Sequence, residues 1–202
     1  IPALAKSNGW QQSIKELDYN KDDLKDYFIG NWGANNKFQP SLEKPLHIYA
    51  DYFDDNSSFD IALSKISKGK LVPVRGKECS TQQTPFLDKK IGDFNQFANS
   101  SMGEIYGDEK LNKATHYKAY NFNSVILKNK GNGSFDIVTL PNKVQFSPTL
   151  DVAVIDNTII GVGNVYDAEV ETIRYDASQG FVLNAENFNV KTNSGFTVNK
   201  DS

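Results

Sequence analysis

Short runs of β-branched and aromatic residues recur along this chain, separated by glycine, asparagine and aspartate residues that favour turns. Runs of this length and composition are typical of β-strands. The pattern predicts strands at residues 27–30, 46–50, 61–64, 70–74, 124–127, 135–140, 152–155, 159–162 and 180–183. We therefore expect a mainly β fold.

Two turns predict antiparallel hairpins. The segment from Asn129 to Gly133 is rich in asparagine and glycine, which tolerate positive φ, and it lies between two predicted strands. Asp156 and Asn157 separate two β-branched runs in the same way. Each turn predicts that the strands on either side of it pair directly.

The pattern becomes helical between about residues 84 and 116. Asp93 is a suitable N-cap, and Phe94 and Phe97 are three residues apart, as on one face of a helix. A second short helix is predicted at 108–113. A segment of this size buries little surface alone, so we expect a helical insertion that packs on the sheet as a lid or brace, with a separate small helical subdomain as the alternative.

Length and composition limit the classes of protein. The chain has 202 residues and a formal net charge of −3, which predicts a single domain over 1–202 and gives no basic surface for nucleic acid. The single cysteine excludes an intrachain disulfide, and no apolar run approaches the ~20 residues that span a bilayer. The chain begins at Ile1 without a signal-peptide pattern, which indicates a processed, excised or incompletely traced product.

No catalytic motif is evident in the sequence. His47 lies in a strand pattern, His116 follows the helical segment, and Cys79 lies in a polar stretch; none has a recognisable nucleophile or base beside it. The sequence therefore favours a non-catalytic role over an enzymatic one. A pair of carboxylates for glycoside chemistry stays open, because such a pair is close in space rather than in sequence.

An acidic loop followed by a strand is repeated along the chain. In its first copy, side-chain oxygens fall at Asp18, Asn20, Asp22 and Asp26. A loop that curls around a hard cation presents alternate side chains to it, and oxygen ligands suit calcium. The spacing is compatible with a calcium loop and equally with a solvated acidic turn; the loop lacks a glycine after Asp22.

The later copies are degenerate. The second has Tyr52 where the first has its leading aspartate, and it retains Asp54, Asn56 and Asp60 as weaker candidate ligands. The third, which leads into the run at 159–162, has no acidic loop, so we expect a plain hairpin there.

Several strings together resemble the FG-GAP or VCBS-type repeat of bacterial surface proteins, of the subgroup associated with the ASPIC/UnbV domain. The resemblance covers about residues 10–190. It rests on Ser13-Ile14, Leu17-Asp18 through Gly33, Phe38, Lys44-Pro45-Leu46, Phe97-Ala98-Asn99 to Gly107, Leu127 through Phe135, Gln145-Phe146-Ser147-Pro148, Gly163 to Tyr166, and Arg174 to Gly180.

The resemblance implies a β-propeller with calcium in acidic inter-strand loops. Asp18, Asn20, Asp22 and Asp26 match the family's metal loop position by position, whereas Tyr52 replaces a ligand in the second loop. A complete propeller needs more blades than this chain supplies. We expect a partial propeller of about three blades with a short helical insertion, completed by another chain or by a missing segment.

The segment 166–176 is the best candidate for a ligand surface, because it mixes aromatic rings with an arginine and carboxylates. The candidate residues are Tyr166, Glu171, Arg174, Tyr175 and Asp176. A bracing ion pair between Arg174 and a neighbouring carboxylate is the alternative.

Taken together, the sequence predicts a calcium-associated recognition scaffold, extracellular or on the outer cell surface, with a protein or glycan partner. Two alternatives stay open. One is a carbohydrate-active or metal-dependent enzyme that uses the acidic loops, and the other is a structural subunit of a larger surface assembly.

Overall fold

The computed structural model describes residues 1, 4–54, 56–168 and 172–192. The chain divides into two compact units. The split unit consists of Ile1–Gln39 and Asn121–Ser202, and the inserted unit consists of Pro40–Tyr120. The inserted unit therefore interrupts the sequence of the split unit once.

Two four-stranded antiparallel sheets form the split unit. Sheet 1 has the strand order β1-β2-β7-β8, and sheet 3 has the order β12-β11-β10-β9. The strands of sheet 1 are β1 (Ser13–Leu17), β2 (Asp26–Gly30), β7 (Val125–Asn129) and β8 (Phe135–Thr139). Those of sheet 3 are β9 (Asp151–Ile155), β10 (Thr158–Val162), β11 (Phe181–Asn184) and β12 (Val190–Lys191).

One core is shared by sheets 1 and 3. Phe28 and Ile126 are partners on β2 and β7, and neither is exposed to solvent. They belong to the same buried cluster as Ile159 and Leu183 of sheet 3, and Phe28 packs beside Phe181 with ring centroids 6.5 Å apart. This packing requires a glycine at position 161, because the ring of Phe181 occupies the space of its absent side chain.

The edge strand β1 of sheet 1 lies beside the edge strand β9 of sheet 3. A short 3-10 helix at Asn142–Gln145 precedes β9. Its Gln145 is buried, and the side-chain oxygen accepts a hydrogen bond from the backbone N–H of Ser124 at 2.7 Å. The connection from sheet 1 to sheet 3 is therefore fastened to the start of β7.

The inserted unit contains sheet 2, with the antiparallel strand order β5-β4-β3-β6, and a run of short helices. Its strands are β3 (Leu46–Asp51), β4 (Asp60–Ser67), β5 (Lys70–Pro73) and β6 (Thr115–Ala119). Its helices are α1 (Lys77–Gln83), α2 (Phe86–Lys90), α3 (Phe94–Asn99), α4 (Met102–Tyr106) and α5 (Asp108–Lys113).

The helices pack on one face of sheet 2. Tyr49 and Phe53 share a buried cluster with Leu87, Met102 and Ile105 from the helical segment. Side-chain caps define two of these helices, as expected for short segments with little intrinsic stability. Asp93 caps α3, and a reciprocal capping box begins α4. A helical insertion that packs on a sheet is therefore confirmed.

All nine predicted strands are present. Their ends agree with the prediction to within two residues, except the end of β4, which extends to Ser67. Both predicted hairpins are confirmed, since β7 pairs with β8 and β9 with β10. The helix at 108–113 is also confirmed, although the helical segment begins earlier, at Lys77. The strands β1, β6 and β12 were not predicted.

The described residues thus form a mainly β protein with three four-stranded antiparallel sheets. The expectation of a single domain over 1–202 stays a prediction. No helix among the described residues is both long enough and apolar enough to cross a membrane.

The contact between Gly161 and Phe181 gives a test of the shared core. These two residues are partners on β10 and β11, and a Cβ atom at 161 would lie 2.0 Å from Cζ of Phe181. We expect Gly161→Ala to lower the free energy of unfolding by about 1–3 kcal/mol, because overpacking forces the buried ring to move. Chemical denaturation followed by tryptophan fluorescence measures the change.

The matched control is the same substitution in a Phe181→Leu background. Leucine lacks the outer ring atoms that the new Cβ would meet, so the cost of Gly161→Ala should be much smaller there. An equal cost in both backgrounds would contradict the packing argument.

Candidate metal and ligand sites

The loop between β1 and β2 gathers three carboxylates. Asp18, Asp22 and Asp26 each place an oxygen such that these atoms lie within 4.8 Å of one another. Asp22 is exposed, Asp18 is half-buried and Asp26 is buried. The sequence-predicted ligands therefore converge in space, because the hairpin brings the last aspartate, at the start of β2, back to the loop.

Asp26 anchors this loop to the sheet. Its Oδ2 accepts a hydrogen bond from the backbone N–H of Tyr19 at 3.2 Å, and its Oδ1 accepts one from Asn129 at 2.7 Å. Burial raises the pKa of Asp26 above 3.8; the two hydrogen bonds act in the opposite direction, and Asp22 and Asp18 raise it further. Burial and the two neighbouring carboxylates therefore disfavour the ionised form of Asp26.

Asp18 holds the loop backbone in a tight curl. Its two carboxylate oxygens accept hydrogen bonds from the backbone N–H groups of Asp22 and Asp23, at 3.1 and 3.0 Å. Asp23 has a φ of 61°, in the left-handed region that favours glycine. Asp23, which follows Asp22, therefore adopts the conformation that a glycine would favour at this position. Aspartate tolerates this conformation better than most residues.

Asn20 lies next to this cluster. Its Nδ2 donates to Oδ2 of Asp22 at 2.7 Å, whereas its Oδ1 is buried and has no hydrogen-bond partner among the described residues. An unpaired buried oxygen is costly, and a cation would satisfy it. Carboxylate and amide oxygens are also the donor set that calcium prefers, so these residues fit the predicted metal.

The loop also contacts the turn between β11 and β12. Lys21 forms an ion pair with Glu186, and the rings of Tyr19 and Phe188 stack with centroids 6.1 Å apart. The hydrogen bond from Asn157 Nδ2 to Glu186 extends this contact to the β9–β10 turn. The conformation of the acidic loop is thereby linked to the packing of sheet 3 against sheet 1.

The loop between β3 and β4 repeats the same framework. Asp60 is buried at the start of β4 and accepts a hydrogen bond from the backbone N–H of Phe53, seven residues before it, as Asp26 does from Tyr19. Burial raises the pKa of Asp60 above 3.8; the hydrogen bond from Phe53 lowers it, and Asp54 raises it. Ser57 has a φ of 62°, at the position equivalent to Asp23.

The metal-ligand set of this second loop is incomplete. Tyr52, at the position of Asp18, is 60% exposed and packs edge-to-face against Phe59. Asp54 and Asn56 hydrogen-bond to each other at 3.1 Å. Among the described residues, a cluster of three potential metal-binding side chains occurs in the first loop and not in this one. A weaker metal site at Asp54, Asn56 and Asp60 stays a prediction.

The predicted ligand surface is only partly exposed. Arg174 and Asp176 are exposed and Tyr166 is half-buried, whereas Glu171 lies outside the described residues. Tyr175 is buried: it forms a β-bridge with Val165, and its ring packs against Trp32 at 4.9 Å. Tyr175 therefore contributes packing, and a ligand surface in this segment depends on the other residues.

A histidine pair in the inserted unit was not predicted. His47 Nδ1 and His116 Nε2 lie 3.0 Å apart, and the ring of Tyr49 is nearly parallel to that of His116 at 4.1 Å. These residues come together because β3 pairs with β6, with Tyr49 directly opposite His116. The polar, exposed character of β6 gave no signal for a strand, so the proximity was hidden in the sequence.

Comparison with known proteins gives no match to a family model, to a curated protein or to a solved structure.

The histidine pair predicts an acid-sensitive inserted unit. Burial, His116 and Lys118 lower the pKa of His47 from 6.5 to about 4. Between these two pH values, His47 therefore binds a proton in the unfolded chain and stays neutral in the folded chain. The free energy of unfolding should therefore fall as the pH is lowered from about 6.5 to about 4. Hydrogen exchange of the β3 and β6 amides across this range measures the effect.

His47→Gln should flatten this pH dependence, because glutamine does not titrate. Both tryptophans and no histidine lie in the split unit, so tryptophan fluorescence reports a unit without this titration. A slope in β3 exchange that is unchanged by His47→Gln would assign the acid sensitivity to other groups.

Proposed function

We propose that this chain is part of a calcium-stabilised β-propeller that acts as a recognition scaffold, extracellular or on the outer cell surface. The observation that carries the proposal is the convergence of Asp18, Asp22 and Asp26 beside the unpartnered oxygen of Asn20. The protein or glycan partner and the location follow from the family resemblance and belong to the same proposal.

The architecture of the split unit supports two adjacent blades. A propeller blade is a four-stranded antiparallel sheet, and neighbouring blades pack face to face. Sheets 1 and 3 each have four antiparallel strands in chain order, they share a core, and β1 lies beside β9, as the innermost strands of neighbouring blades do. The acidic loop joins the first two strands of sheet 1.

The metal has a structural role in this proposal. Calcium would be held by Asp18, Asn20, Asp22 and Asp26 and would offset the repulsion among their carboxylates. The loop would then be fixed in the conformation that pairs Lys21 with Glu186 and stacks Tyr19 on Phe188. Binding would therefore stabilise the contact between sheets 1 and 3.

The exposed residues Arg174 and Asp176 supply the surface for recognition, next to a segment that is fastened to the core. The backbone N–H of Ser178 donates to Asn164 Oδ1 at 3.1 Å, and Asn164 Nδ2 donates to the carbonyl of Ser178 at 3.0 Å. A rigid base with charged side chains above it is suited to a protein or glycan partner.

A structural role in a larger assembly is favoured by the outer face of sheet 1. This face carries Ile14, Ile29, Leu127 and Ile137, and Ile14 is 67% exposed. Sheets that are apolar on both faces are typically covered on both faces. We propose that a further sheet covers this surface, as in a propeller with additional blades.

Calcium binding tests the main proposal. Calorimetric titration of the full chain should give saturable binding, with a dissociation constant in the range of about 0.1–1 mM for an extracellular site. At a calcium concentration 100 times the dissociation constant, the free energy of unfolding of the split unit should rise by about 2.7 kcal/mol. Affinity should fall as the pH is lowered towards the pKa of Asp26, because calcium needs the ionised carboxylate, and burial raises that pKa above 3.8.

Asp22→Asn should reduce the affinity about tenfold or more, because it removes one negative charge and retains the shape of the side chain. Asp23→Asn is the matched control: it removes the same charge from the adjacent residue, which lies outside the carboxylate cluster. Equal losses in both variants would indicate nonspecific attraction of the cation. No binding to the folded wild type would refute the calcium proposal.

Self-association tests the proposal for sheet 1. We expect sedimentation equilibrium to detect association of the wild type, and Ile14→Lys with Ile137→Lys to weaken it, because charges on this face oppose burial. Ile173→Lys is the control, since Ile173 is 69% exposed and lies outside the strands of sheet 1. If the wild type is monomeric, or if Ile173→Lys weakens association as much as the double variant does, the outer face of sheet 1 is not the site of association.

A further inference from the structure

A separate cavity of about 400 Å³ lies within the inserted unit, and its lining includes residues of β3, β6, α4 and α5. Leu71, Met102 and Leu111 give it an apolar part. Met102 and Leu111 belong to the buried cluster beneath the helices and are only 1% and 8% exposed, so the half-buried Leu71 offers more surface to a ligand than they do. The volume of the cavity is within the range of sites for small organic ligands.

Asp108 contributes the charge of this cavity. Its carboxylate lies against the backbone of Gly103, so closely that a Cβ atom at 103 would come within 2.1 Å of Oδ1. Asp108 is exposed to solvent at the start of α5, and among the described residues it has no ion-pair partner. The residues that line the cavity therefore include one carboxylate and no lysine or arginine, although the charge of Lys118 acts on His116.

His116 adds a hydrogen-bonding group to the same lining. Its Nε2 is engaged with Nδ1 of His47 at 3.0 Å, and Tyr49 packs along the face of its ring. Burial lowers the pKa of both histidines, which favours neutral rings. When Nε2 of His116 donates to His47, Nδ1 of His116 carries a lone pair and accepts a hydrogen bond.

We propose that this cavity binds a small organic ammonium ion. The ammonium group donates hydrogen bonds to the carboxylate of Asp108 and to Nδ1 of His116, and the organic substituent packs against Leu71, Met102 and Leu111. The site lies in a different unit from the calcium loop and does not depend on the proposed scaffold function.

The charge of the cavity distinguishes this ligand from the alternatives. An anion would be repelled by Asp108, and the lining offers it no lysine or arginine. A neutral alcohol of the same shape would fill the apolar part but would lose the charge-assisted hydrogen bond to the carboxylate. An ammonium ion satisfies both the carboxylate and a neutral imidazole.

The test uses benzylammonium, with benzyl alcohol and benzoate as neutral and anionic probes of similar shape. Nuclear magnetic resonance of the histidine side chains of the full chain, at pH 7.5 and constant ionic strength, follows binding. We expect saturable shifts of the His116 and His47 resonances with benzylammonium, binding of benzyl alcohol weaker by about tenfold or more, and no binding of benzoate. No saturable shift, or equal affinity for amine and alcohol, would overturn the proposal.

Two variants locate the charge. Asp108→Asn should abolish the preference for the amine, and Gly103→Ala should weaken amine binding because its Cβ displaces the Asp108 carboxylate. Glu109→Gln is the matched control, with the same loss of charge one residue further along α5. If Glu109→Gln weakens amine binding as much as Asp108→Asn, the preference reflects the charge of the helix and the proposed site is wrong.

Discussion

The buried carboxylate of Asp26 is the interaction on which the split unit most depends. It ties the β1–β2 loop to β7 by accepting backbone hydrogen bonds from Tyr19 and Asn129. A buried carboxylate is favourable only when such partners satisfy it, so Asp26 fixes the loop and the strand together. Asp60 repeats the bond to the loop in the inserted unit, with Phe53 as its partner. The repeated acidic position therefore has a structural role in both loops, with or without a metal.

This shared role explains why the two loops diverge in their other ligands. The buried aspartate and a left-handed residue, Asp23 or Ser57, set the course of the backbone. The leading position is free to change, and Tyr52 replaces the aspartate there without loss of the hairpin. Only the first loop retains enough carboxylates within 4.8 Å to attract a cation among the described residues. The fold thus constrains one acidic residue in each loop, and the proposed calcium site would account for the other carboxylates of the first loop.

The sequence predicted the central strands, three of the six edge strands and much of the first loop, and it missed the edge strands β1, β6 and β12. Strands such as β2 and β10 carry apolar residues that bury a face, which gives a pattern that can be recognised. Strands β1 and β6 lie at sheet edges and expose most of their side chains, so their sequences resemble loops. Because β6 was missed, the approach of His116 to His47 was missed with it. The acidic loop was predictable because its candidate ligands are close together in the sequence, whereas the two histidines are sixty-nine residues apart.

The return of the chain to sheet 1 also had no signal in the sequence, since it depends on contacts between distant segments. Asn31, after β2, is buried, and its Nδ2 donates to the carbonyl groups of Asn121 and Asn123. The backbone N–H of Gly33 donates to the carbonyl of Phe122 at 2.7 Å, and the N–H of Asn31 donates to Ser124 Oγ at 3.0 Å. These hydrogen bonds hold the segment after β2 beside the segment before β7. The two strands can therefore pair although the inserted unit separates them in the sequence. The entropic cost of closing a loop grows only slowly with its length. The sequence between the paired strands β2 and β7 can therefore include a whole folded unit.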